Sequence, residues 1–182
     1  MSNEGVHRDY RFLDGEAERL ALIEDIKQVR QEVFKIAALV PKEKYYEPRY
    51  HGWSLGAMLG HLQLMDNLNM WLIEVAIVGI PLPIPLSLLD AFNDGMAQIY
   101  RRRVVETTLH GLQKKEQGIE SFILRVPVSK FSKTVFDPAL QKSLTVEQGL
   151  QEFFLYHWRD HLETMRKIDD MHYEPPTESS VA

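Results

Sequence analysis

The strongest constraint on the fold of this chain is a set of apolar stripes at helical spacing. Leu22, Ile26, Val29, Val33, Ile36 and Val40 follow one another at steps of four and three, which puts them on one face of a helix. The spacing predicts a first helix from about Asp14 to Val40, closed by Pro41. A second helix starts at Ser54, a good N-cap, with Trp53 placed to staple onto Met58, and runs to about Val78. It is apolar over most of its circumference and so belongs in the centre. A third helical region spans Leu88 to Val126, with a break expected near Arg101, Arg102 and Arg103. A fourth starts at Thr145 with Gln148 three residues on, a capping-box pattern, and runs to about Met171. A small strand or turn is expected around Thr134 to Phe136, and frayed ends before about residue 14 and from Tyr173.

Four long amphipathic helices in 182 residues predict an all-α, four-helix-bundle protein of one domain, with its core over about residues 14–171. Between the second and third helices lies Gly79 to Leu86, GIPLPIPL. Its alternating prolines exclude a helix and a central strand, so it reads as a rigid, apolar, extended loop. The longest uncharged stretch, Val75 to Leu89, is 15 residues and contains those prolines. That is shorter than the roughly 20 apolar residues a membrane-spanning helix needs. No secretory signal is visible at the start. A cytoplasmic protein without membrane contact is expected. The formal net charge of −5 argues against nucleic acid as a partner, because phosphate neutralisation calls for a basic surface.

There is no cysteine, so any metal must be held by His, Asp or Glu, and any thiol must arrive with a substrate. His157 and His161 are four apart on the fourth helix and share one face, where they can bind one ion. They stand in the stripe Leu150, Phe154, His157, His161, Met165 and Ile168. His61 repeats the pattern on the second helix, on a face with Leu64, Met65 and Leu68. Buried imidazoles need partners. A metal ion uses their lone pairs; the alternative is a set of core histidines satisfied by hydrogen bonds. Three imidazoles with an open position would be a catalytic type of site. His7, His51, His110 and His172 lie in or near polar segments and read as solvated. Glu163, two residues beyond His161, points away from it on a helix and reads as solvated or outside the ligand shell. Tyr156 and Trp158 read as packing residues, and the Arg101–Arg103 run as a solvated face. There is no phosphate loop, no GxSxG elbow and no HExxH motif.

Gly52–Trp53–Ser54 followed by His61 (GWSLGAMLGHL), Phe92–Asn93 after the proline loop, and His157-x-x-x-His161 in FFLYHWRDHLETM resemble the DinB/YfiT-like superfamily of four-helix-bundle proteins. The resemblance extends from about residue 15 to 170. It implies that His61, His157 and His161 ligate one divalent metal ion: zinc, nickel, iron or manganese. It implies a homodimer. It also suggests Asn93 as a polar residue beside a small-molecule substrate. Relatives in that superfamily include thiol S-transferases, which makes a metal-dependent transferase with a low-molecular-weight thiol cosubstrate the leading expectation. A metal-activated hydrolase, and a stress-response protein that binds a partner without turnover, are the alternatives.

Overall fold

The computed structural model describes residues 8–80 and 82–169. His7, Pro81, Met171, His172 and the tail from Tyr173 lie outside the described residues.

Helix α1 (Glu16–Leu39) ends as expected at the turn before Pro41. Helix α2 (Leu55–Ile77) is capped by Ser54, whose hydroxyl accepts from the Ala57 amide at 3.1 Å. The third helical region is two helices, α3 (Leu86–Tyr100) and α4 (Val105–Arg125), broken over 101–104. A hairpin of β1 (Thr134–Asp137) and β2 (Lys142–Thr145) follows, with Thr134 opposite Thr145 and Asp137 opposite Lys142. Asp137 closes its turn by accepting from the Ala139 and Leu140 amides at 2.8 and 2.9 Å.

The fourth helix departs from the expected continuous element. It consists of α5 (Val146–Gln151), a π-helical turn (Glu152–Tyr156) and α6 (His157–Asp169). Thr145 and Gln148 form the predicted capping box. In the π turn the His157 amide donates to the Glu152 carbonyl, five residues back. All five residues of this turn are buried and four of them are apolar or aromatic, so the segment suits either register and the stripe could not reveal the extra residue.

Helices α1, α2, α4 and the α5–α6 rod form the bundle, and their stripes make one continuous core. Helix α3 packs against α2. A Cβ at Gly60 would lie 2.7 Å from the Tyr100 ring, so the close approach of α3 to α2 requires glycine there. Of α3's residues only Leu89 is buried, while Leu86, Leu88, Phe92 and Ile99 are exposed. In the proline loop Leu82 and Ile84 pack against the core and Ile80 is exposed. No helix among the described residues is long and apolar enough to cross a membrane.

All four bundle helices meet at one charged node. Arg30 of α1 is fully buried, donates to Asp66 of α2 at 2.9 Å and to the Leu112 carbonyl of α4 at 3.0 Å, and lies 3.9 Å over the Trp158 ring of α6. The Trp158 indole donates to the other Asp66 oxygen at 2.9 Å. Burial pushes the Asp66 carboxyl up, and Arg30 and Trp158 pull it back.

The N-terminal segment, expected to be frayed up to about residue 14, is held from Arg8 onward. Leu13 is fully buried. Its amide donates to Glu147 at 2.6 Å, and Arg8 forms a two-pronged pair with Asp160 at 3.0 and 2.6 Å.

Candidate metal centre

The turn that launches α2 also shapes the site. His51 and Gly52 both adopt positive φ, and Tyr50 and Trp53 bridge across them. Trp53, expected to staple onto Met58, presents its ring edge-on to the His61 imidazole, with centroids 5.0 Å apart. His61, two turns into α2, is 6% exposed. His157 opens α6, and His161 follows one turn later; both are half-buried.

The three imidazoles converge. The Nε2 of His157 lies 3.2 Å from that of His61 and 3.1 Å from that of His161, and one donor atom from each ring lies within 4.8 Å of the others. Hydrogen bonding cannot satisfy this arrangement well. A neutral imidazole has one N–H and one lone pair. The single His157 Nε2 therefore cannot accept from both neighbours, and donating to both splits one proton between them. For a tetrahedral ion with 2.0–2.1 Å bonds to nitrogen, the donor–donor edge is about 3.3–3.4 Å. The two separations from His157 are within a few tenths of an ångström of that edge, and the His61–His161 separation is no more than 4.8 Å, so the three donors are close enough to share one ion.

Protonation state favours the same use. Burial, reinforced by the charge of neighbouring histidines, pushes His61 and His157 down to about 3. For His157 the Arg8 charge adds to this. His161 is held well below its ordinary value by burial, then by His157 and His51. All three are neutral at pH 7, the state a metal ligand needs. The Nδ1 of His157 is buried without a hydrogen-bond partner, which departs from the usual pattern in which a ligating imidazole donates its second N–H.

A stability consequence follows for the metal-free protein. The folded chain stays neutral at these rings where the unfolded chain, with histidine pKa about 6.5, takes up protons. The stability these rings contribute is therefore present above about pH 6.5 and lost as pH falls below it toward the depressed folded values, about 3 for His61 and His157. Urea midpoints at pH 7.5, 6.0 and 5.0 should fall steadily. A His61→Gln/His157→Gln/His161→Gln variant should show a flatter profile; an equally steep one would place the titration elsewhere.

An open cavity of about 630 Å³ is lined by Tyr46, His51, Trp53, Asp94, Gln98 and Arg101 among others, and by none of the three histidines. Trp53 links this cavity to the cluster, since it lines the cavity and meets the His61 ring edge-on. His51, read from sequence as solvated, is exposed but lines this cavity and contacts Thr164 of α6 at 3.4 Å. On α3 the wall is formed by Asp94 rather than Asn93. Asn93 is half-buried, and its Oδ1 has no partner. The proline loop's described residues contribute nothing to this wall.

The other candidates have separate placements. His110 is exposed, and Glu163 is not among the converging donors. Tyr156 turns to the N-terminal segment, its hydroxyl donating to the Asp9 carbonyl at 2.7 Å, and Trp158 turns to Asp66. Within the arginine run Arg101 lines the cavity, Arg102 is exposed, and Arg103 bonds Gln63 and Thr108. The cavity residues were not singled out from sequence as a group, because nothing in their spacing joins the α2 cap to α3. The only signal was a glycine-bearing turn before a helix cap.

No family model matches this chain, and no curated protein matches it. Among solved structures it is similar to YfiT from Bacillus subtilis, described as a probable metal-dependent hydrolase with an unusual four-helix bundle topology. The TM-score is 0.70 at 12% identity, over 92% of this chain and 94% of that one. The chain therefore has a four-helix-bundle fold like that of YfiT.

Proposed function

We propose that this chain binds one divalent metal ion through His61, His157 and His161 and uses it to transfer a small thiol onto an electrophile in the adjoining cavity. The observation that carries the reading is the facing of three neutral imidazole nitrogens at 3.1 and 3.2 Å, with Trp53 shared between His61 and an open cavity. When bound, the ion supplies Lewis acidity, which lowers the pKa of a coordinated thiol or water. His61 of α2 and His157 and His161 of α6 would hold it from two helices. Trp53 shields His61 from water and gives the substrate a flat apolar wall, with Arg101 and Asp94 at the cavity's charged edge.

Among the described residues no carboxylate joins the three donors. A thiol coordinated to such an ion would give up its proton to solvent outright, which supports thiol transfer. The second reading is a metal-activated hydrolase, and the fold likeness to YfiT favours it.

The test is conjugation of monobromobimane with several low-molecular-weight thiols, run beside hydrolysis of activated esters. Each assay uses protein whose metal content has been measured by plasma mass spectrometry. About one ion per chain and metal-dependent conjugation are expected. Metal-dependent ester hydrolysis without conjugation would select the second reading, and an absence of metal would refute both.

A further inference from the structure

The N-terminal segment Arg8–Leu13 lies along the fourth helix and touches it on both sides of the π turn. Before the turn, the Leu13 amide donates to Glu147 at 2.6 Å. Arg11 and Gln151 exchange two hydrogen bonds, each of 2.9 Å. At the turn's first residue, the Tyr10 hydroxyl donates to Glu152 at 2.6 Å, and Arg8 pairs with the same carboxylate at 3.1 Å. At its end and beyond, Tyr156 donates to the Asp9 carbonyl at 2.7 Å, and Arg8 grips Asp160 with both guanidinium nitrogens. The Tyr10 and Tyr156 rings meet edge-on at 5.7 Å.

An α-helix turns about 100° per residue, and a π turn absorbs one extra residue without that rotation. If the turn relaxed to α, every side chain after it would swing by about 100°. Tyr156 and Asp160 would then take the directions that His157 and His161 now have. Tyr156 and Asp160 are each the residue before a candidate ligand. The segment's contacts before and after the turn can be made together only while the extra residue is accommodated. The clamp and the convergence of the histidines thus depend on one helical register.

We propose that Arg8 and Tyr10 are positioning residues: the N-terminal segment locks the π turn and so aims His157 and His161 at His61. The proposal rests on the three-histidine metal reading for its functional meaning, and on the register alone for its structural content.

The test compares wild type, Arg8→Ala/Tyr10→Phe and a control core trim on α4, Ile119→Val. Cobalt(II) titration followed by d–d absorption reads the metal site. The Trp158 indole N–H resonance in the metal-free protein reads the register directly, because that group donates to Asp66. The double variant is expected to bind cobalt(II) at least about tenfold more weakly, with altered bands, and to shift or broaden the indole signal. The control should do neither. If the double variant does not fold, Tyr10→Phe alone should show the same changes to a smaller degree. A wild-type cobalt(II) affinity and spectrum in the folded variant would overturn the proposal, as would an unmoved indole signal. If wild type binds no cobalt(II), the metal reading falls, and the indole signal alone decides whether the segment sets the register.

Discussion

His61→Leu is expected to abolish measurable metal binding while raising the stability of the metal-free protein. The two effects come from the same geometry. Leucine suits a position that is 6% exposed, with the Trp53 ring packed against it. It removes a desolvated imidazole whose Nε2 faces another Nε2 at 3.2 Å. Leaving a buried polar group poorly satisfied costs about 1–3 kcal/mol, so the metal-free variant should gain about 1–2 kcal/mol. Losing one of three ligands should weaken binding by more than about 100-fold, beyond the 10–100-fold typical of a lost outer-shell partner. In wild type, added metal should raise the melting temperature, because an ion that binds only the folded state stabilises it by mass action. In the variant it should not. Calorimetry with and without metal measures both. A histidine serving as a satisfied core residue would give the opposite sign, with His61→Leu destabilising and metal irrelevant in either protein.

That sign reversal also shows what the sequence could convey. The three histidines were visible because each interrupts an apolar stripe, and the stripes themselves marked the bundle, the Ser54 cap and the Thr145 capping box. The break at 101–104 was legible as a run of charges inside a helical pattern. The π turn was not, because Glu152 to Tyr156 reads EFFLY, which is apolar enough to suit either register. What distinguishes the registers is a set of contacts from Arg8 to Leu13, more than 130 residues away in sequence. The cavity was hidden for a similar reason. Its walls come from the α2 cap and from α3, which are brought together by the glycine-dependent approach of Tyr100 to α2 and by the Ser54 hydroxyl donating to the Arg101 carbonyl at 3.0 Å. Local propensity fixes the elements, while the site depends on long-range registers.

Asp66→Ala is expected to be the most damaging single substitution away from the histidines. It leaves the Arg30 guanidinium with the Leu112 carbonyl at 3.0 Å and Glu116 at 3.6 Å as its nearby oxygen partners, at zero exposure. Breaking a buried pair on one side costs about 3–5 kcal/mol, a large share of the roughly 5–15 kcal/mol that holds a domain together. Replacing the pair is a different experiment. Arg30→Met/Asp66→Leu removes both charges, and such swaps are often neutral or stabilising by about 1–4 kcal/mol. Here the swap should fall short of that, because Trp158 would lose its acceptor and its cation–π partner together. Urea unfolding of the single and double variants measures the difference. If the double variant proved as unstable as Asp66→Ala, the cost would lie in the Trp158 contacts and not in the stranded charge. Metal affinity then adds a second axis. Trp158 directly follows His157 on α6, so a double variant that recovers stability should still bind metal more weakly than wild type. Full recovery of both would show that the node serves packing alone, and that the N-terminal clamp suffices to hold the helix's rotation.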